Sequence, residues 1–431
     1  MNLFSWFILA ALLLDLLLQG LASYLNLKAL RGDPLPQVAD LYEGERWKRT
    51  RDYLVARLKL GWTERIFDTA LLLAFWFLKG FPALDRIAPD LGLGELGKGL
   101  SFLAALLLGK AVLGLPFQAW STFVVEEKFG FNRTTPKTFF LDRLKALLLF
   151  LVLGLPLLAG ILAFFLHAGR WAWLYCWGAV TLFSLFIQYI APTWIFPLFH
   201  KFTPIEKGTL EEKIRAYAEK IGFPLQGIYV ADGSRRSGKA NAFFTGFGRN
   251  KRIVLFDTLL QKHTEEEILA VLAHEMGHYK ERHILKGTLL GILHTGILFF
   301  LLSLFLQVPG LHRAFFMERI TVHGALVFFG LLYAPVELLL SLFFNYLSRL
   351  HEYQADRFAA ETLGSAAPLA AALKKLSADH LSHPCPHPMA VALSWSHPPL
   401  LHRLRRLGPG SSNPRPTSPQ SSAEKAPPPP R

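Results

Sequence analysis

Seven apolar stretches dominate the chain: 3–22, 66–82, 100–122, 146–166, 171–198, 287–308 and 321–347. A helix needs about 20 apolar residues to cross the hydrocarbon of a bilayer, so each stretch reads as a transmembrane helix, the second short and the fifth long. The first carries Asp15, has no basic residue before it and lacks a small-residue cleavage site. Those features set it apart from a signal peptide.

The polar intervals carry other periods. In 199–286 a helical pattern over 209–221 precedes a strand-like run, 227–231. A hairpin follows: 242–247, a turn at Gly248-Arg249-Asn250, then 252–256. Thr264 and Glu267 form a capping box that opens a helix, with Ile268, Leu269, Val271 and Leu272 at helical spacing. The pattern divides the chain into five segments. Residues 1–198 hold spans one to five with their loops, 199–286 a polar piece, 287–347 the last two spans and 348–408 a second, mainly helical piece. The Pro- and Ser-rich tail 409–431 reads as disordered.

Charge orients these segments. Of 46 Lys and Arg, 39 lie in the loops and tail on one side of the seven spans and 5 on the other. The positive-inside rule puts the N-terminus outside and both polar pieces in the cytoplasm. The net charge of +14 is therefore mostly a topology signal, with attraction to anionic lipid as a second consequence. No motif suggests a nucleic-acid partner. Hydrophobic residues make up 52% of the chain, which agrees with a membrane protein. The Ala, Leu, Pro and Arg bias points to a bacterial inner membrane. Cys176 falls in a span and Cys385 in the cytosolic part, so no disulfide is expected.

The capped helix contains His274-Glu275-Met276-Gly277-His278, the HExxH pattern. Histidines four apart share a helix face and can hold two corners of one Zn²⁺, while Glu275 acts on a water. A catalytic zinc needs a third protein ligand. His283, His351, Glu352, His387 and His397 are candidates. The helix leaving the seventh span is favoured, because it surfaces beside the HExxH helix. On it Glu352 leads and His351 remains a rival, since helix rotation decides. Asp356, one turn after Glu352, can fix the tautomer of a ligand imidazole. The run His383-Pro384-Cys385-Pro386-His387 is made extended by its prolines and is not read as a second metal site.

Several separate motifs go further. They are Glu126-Glu127-Lys128-Phe129-Gly130-Phe131-Asn132-Arg133 and its continuation to residue 139, Pro197-Leu198-Phe199-His200, Ala240-Asn241-Ala242-Phe243, Glu352-Tyr353-Gln354-Ala355-Asp356 and Ser396-His397-Pro398-Pro399. Together with HExxH they resemble the type I CaaX prenyl endopeptidases, integral-membrane zinc metalloproteases, over most of residues 1–408. The resemblance implies seven helices enclosing a water-filled chamber, with a cytosolic metalloprotease domain that contains a small sheet. It implies His274, His278 and Glu352 as ligands of one zinc, Glu275 as general base, and Asp356 as the carboxylate behind them. His397 would lie near the reacting carbonyl. Asn241 and Ala242 would form a substrate-pairing strand edge, and Arg403 would contact substrate. The expected substrate is a CaaX terminus cleaved after a prenylated cysteine. The sequence departs from the family at Ala240 and Phe243, where Ser and Tyr are usual, and at His402, where an acid is common.

A chamber accounts for Asp15, Lys79, Lys110, His294 and Glu337, which lie in or near spans where lipid exposure of charge is unfavourable. Lys79 can instead snorkel to a span end. Two rival readings remain. One is a general membrane quality-control protease with the same zinc site. The other is a transporter or lipid-binding protein whose HExxH is vestigial.

Overall fold

The computed structural model describes residues 1–31, 36–42, 44–246 and 251–408. The expected turn at 248–250 and the tail 409–431 lie outside the described residues. The first half is helical: α1 Leu3–Ala29, α2 Glu45–Phe77, α3 Gly80–Ile87, α4 Gly94–Trp120, α5 Pro136–Leu149, α6 Leu155–His167, α7 Ala172–Ile190 and the short α8 Phe196–Phe199. Helices α4, α5 and α7 run on through wider, π-type turns at Ser121–Glu126, Phe150–Gly154 and Ala191–Ile195. Pro156 and Pro197 explain two of these. Each ring clashes with the carbonyl four residues earlier, at Val152 and Thr193, and opens the helix there.

The second half alternates small strands with helices: β1 Phe202–Pro204, α9 Thr209–Lys220, β2 Leu225–Ala231, β3 Ala242–Thr245, β4 Lys251–Phe256, α10 Asp257–Lys262 and α11 Glu265–Lys280. It continues with α12 His283–Phe305, α13 Pro309–Ala314, α14 Val322–Leu363, α15 Ala367–Asp379, α16 Pro388–Ser394 and α17 Leu400–Leu407. Six helical segments are long and apolar enough to cross a membrane. Among the described residues α2 and α3, bent by 69° to each other, bring the number to seven when the pair is counted as one span. Lys79 sits at that bend in the left-handed region, with φ 60°.

The spans form a ring, with α1 against α2, α2 against α4, then α6, α7, α12, α14 and α1 again. No more than 17% of the most apolar stretch of any of the six unbent spans is buried within the protein, so this is not a packed bundle. At one end the ring closes on a plug of Ile8, Trp76, Phe81, Phe102, Leu162, Phe315 and Phe328. Phe315 stacks on Phe328 at 4.1 Å, and the Trp76 indole N–H donates to the Ala314 carbonyl at 2.8 Å. The charged span residues are paired with neighbouring helices: Arg65 with Asp15 at 3.1 Å, Lys110 with Asp68, and His294 with Glu337 at 3.3 Å.

The open end carries the sheet, in the order β1-β2-β4-β3. β2 and β4 are parallel; β1 and β3 flank them antiparallel, with Ala242 opposite Leu255. The pairing of β1 was not foreseen, because three residues ending in a proline show no period. Ile214, Ile253, Leu255, Leu259 and Ala270 form the core between the sheet and α11. The expected capping box is present: Glu267 N–H donates to Thr264 Oγ1 at 3.3 Å and Thr264 N–H to Glu267 Oε2 at 3.1 Å.

The segment after residue 347 is not a separate piece. Helix α14 runs 42 residues, about 60 Å, twice the hydrocarbon thickness. It leaves the plug, crosses the membrane and continues under α11. The two helices meet at Gly277, where a Cβ would lie 3.1 Å from Ala355 Cα and 3.2 Å from its carbonyl oxygen. Ala355 and Ala359 are fully buried opposite. Small residues on both sides allow the backbones this approach. Replacing Gly277 by Val should lower the thermal midpoint by several degrees, since overpacking of this kind costs about 1–3 kcal/mol. It should also lower bound metal; an unchanged midpoint and metal content would show that the crossing tolerates expansion.

Candidate active site

The close crossing brings two short motifs face to face. His274 and His278, one turn apart on α11, present their Nε2 atoms 3.2 Å from each other. Glu352 on α14 reaches both, with Oε2 3.5 Å from His274 Nε2 and Oε1 3.3 Å from His278 Nε2. One donor atom from each of the three lies within 4.8 Å of the others. It is Glu352 and not His351 that meets the imidazoles. His351 stacks on His283 at 4.0 Å, and His387 caps α16 by accepting the Met389 N–H.

The cluster fits a metal ion on its own chemistry. Glu352 is 4% exposed, and its Oε2 is buried without a hydrogen-bond partner. Such an atom is costly unless a cation satisfies it. Two imidazole nitrogens and a carboxylate are a donor set typical of a catalytic zinc.

Behind the cluster, Asp356 Oδ1 sits 2.9 Å from His274 Nδ1. That contact fixes the Nδ1–H tautomer and leaves Nε2 free to ligate. Arg403, on α17, closes a fork on Asp356: Nε donates to Oδ2 at 2.8 Å and Nη2 to Oδ1 at 2.6 Å. Its Nη1 is 3.5 Å from Glu352 Oε2. Arg403 therefore turns its guanidinium to the buried carboxylates. Burial alone would lower His274, but the bonds to Asp356 and Glu352 outweigh it and hold the ring up to about 9. A metal would compete with that proton.

Glu275 lines a cavity of about 490 Å³ with His278, Glu352 and His397. Burial raises its carboxyl above the usual range, against the opposing pull of His274 and His278. His397 is two-thirds exposed, with Nε2 3.4 Å from Glu352 Oε1, and Ser396 Oγ lies 3.0 Å from its Nδ1. Asn241 and Ala242 line the opposite wall, at the start of the edge strand β3. Leu259, Val271, Leu369, Leu373 and Leu376 make the remainder largely apolar.

Three supports were not foreseen. Ala240 N–H donates to His380 Nε2 at 3.0 Å, and burial holds His380 down to about 4, which keeps it a neutral acceptor. Arg349 donates to the Trp395 carbonyl at 2.7 Å and so ties the His397 loop to α14. His383 and His387 take part in local turns and dock on Asn26 of α1, at 3.4 Å to its carbonyl and 3.0 Å to its side chain. Arg349 lies one turn before Glu352 and could have been found by that spacing. The other contacts join residues far apart in sequence and left no local signal.

Comparison with known proteins places the architecture. A family model described as CAAX prenyl protease N-terminal, five membrane helices, matches residues 23–201, and one for peptidase family M48 matches 204–409. The chain is 36% identical over 414 residues to a CAAX prenyl protease 1 homolog of Oryza sativa, covering 92% of this chain and 96% of that protein. It is 32% identical to the human homolog, over 86% of this chain and 88% of that protein. The crystal structure of S. mikatae Ste24p superposes with a TM-score of 0.88 at 32% identity, covering 95% of this chain and 99% of that one. These relatives are eukaryotic and give the expected bacterial host no support. The chain belongs to peptidase family M48 and is one of its membrane-embedded metalloproteases.

Proposed function

We propose that this protein is a zinc endopeptidase that cleaves near the C-terminus of prenylated, CaaX-type proteins at the cytosolic face of its membrane. The observation that carries the reading is the His274, His278 and Glu352 cluster facing an edge strand across one cavity. The names of the relatives support the substrate class, and the 39-to-5 distribution of Lys and Arg supports the orientation.

His274, His278 and Glu352 would hold the zinc. When bound, the ion supplies Lewis-acid polarisation at the scissile carbonyl and makes an attacking water acidic. Glu275 takes the proton of that water and later returns it to the leaving amine. A carboxyl raised by burial is better matched to that double task than an ordinary one. His397 donates a hydrogen bond to the developing oxyanion from its exposed loop. An extended substrate adds to the edge of the sheet at Asn241 and Ala242 by main-chain pairing. The Arg403 fork holds Asp356, and through it His274, so Arg403 supports the metal cluster from the wall of the same cavity.

Replacing Glu275 by Gln should abolish cleavage of a peptide substrate while zinc content stays near one per chain; substantial turnover would remove Glu275 as the base. His278→Ala should lose both zinc and activity. In a paired assay, a prenylated peptide should be cut far faster than its unprenylated twin; equal rates would favour general membrane quality control. Arg403→Leu leaves Asp356 a buried carboxylate without its cation. Breaking such a pair costs about 3–5 kcal/mol, to be read from denaturant unfolding in detergent.

A further inference from the structure

His283 and His351 are both candidate third ligands by sequence, and neither adds a donor atom to the His274, His278 and Glu352 cluster. The chain leaves α11 at Lys280, passes through Arg282 in the left-handed region (φ 56°, ψ 32°) and enters α12 at His283. A non-glycine residue in that conformation is disfavoured by about 1–2 kcal/mol and persists only where its surroundings require it. Here it folds the first residue of the next membrane helix back over the last turn of the HExxH helix. His283 is 6% exposed. Its Nδ1 lies 3.0 Å from His278 Nδ1, and its Nε2 lies 2.8 Å from Gln354 Oε1. His351 covers its ring face with an interplanar angle of 14°.

The protons along this chain can run in one direction if His278 is to bind a metal. The Gln354 carbonyl accepts from His283 Nε2–H. The neutral His283 ring then offers Nδ1 as a lone pair, which accepts from His278 Nδ1–H. His278 is left with a bare Nε2 facing His274 and Glu352. The reverse arrangement puts a proton on His278 Nε2 and closes it to a cation. Both nitrogens of His283 are committed, so it cannot be a ligand itself.

We propose that His283, oriented by Gln354, is the positioning residue that fixes the tautomer and ring plane of His278 for metal binding. The inference rests on the reading of His278 as a zinc ligand. Asp356 serves His274 through a carboxylate; His283 serves His278 through a neutral imidazole and an amide.

The test is zinc affinity of the full-length protein in detergent, measured by competition with a chelator, with the metal-free thermal midpoint measured in parallel. His283→Leu should bind zinc about 10–100-fold more weakly, the usual effect of removing such a partner. His283→Asn, whose Oδ1 falls near the place of Nδ1, should recover to within about threefold of wild type. Gln354→Met should weaken binding by a smaller factor. A His283→Leu affinity within about threefold of wild type overturns the proposal. So does an Asn variant as weak as the Leu variant, because the role is then packing. Should His283→Leu not fold, Gln354→Met decides alone, and wild-type affinity there overturns it. Wild-type protein that holds no zinc defeats the proposed function instead, which keeps the two failures apart.

Discussion

The approach of α11 to α14 at Gly277 and Ala355 is the constraint from which the site follows. Neither helix alone carries more than part of a metal cluster. His274 and His278 come from one, Glu352 and Asp356 from the other, and the reach of a glutamate is fixed. Only with the two backbones nearly in contact can one carboxylate lie within 3.5 Å of both imidazoles. A glycine facing two buried alanines provides that approach. Asp356 and Arg403 are both buried behind the cluster and satisfy each other there.

A buried group of this charge density is unfavourable unless each member has a partner. The structure meets that demand in layers. Imidazoles face Glu352, Asp356 backs His274, and the Arg403 fork backs Asp356. The outermost support comes from α17, the last described helix of the chain. The cluster is therefore completed only when the C-terminal helices have docked, and its integrity reports on the folding of the whole segment around the sheet. The apolar plug lies at the other end of α14. It is held by aromatic stacking and a few carbonyl bonds and has no shared residue with the site.

Much of this was legible in the sequence, for stated reasons. The capping box at Thr264 and Glu267 is local, so the start of the HExxH helix could be read directly. Apolar length and charge bias are also local, and the seven spans followed from them. The choice between Glu352 and His351 was not local. The two are adjacent on one helix, and their facing is set by how α14 rotates against α11. The resemblance pointed to Glu352, and the geometry brings it to the imidazoles. The same limit hid the Arg403 fork, which joins residues 47 apart in sequence, and the pairing of β1. The segment boundary read after residue 347 marks a change of polarity, and α14 runs through it unbroken.

That unbroken helix has a mechanical meaning. Its first turns are wedged among the plug aromatics, and Glu352 is carried about 40 Å further along. Pro335 lies between the two ends and takes one amide proton out of the helix ladder. Plug and donor atoms are thus mounted on one rod, so a single stretch of backbone sets how far the closed end of the ring lies from the carboxylate.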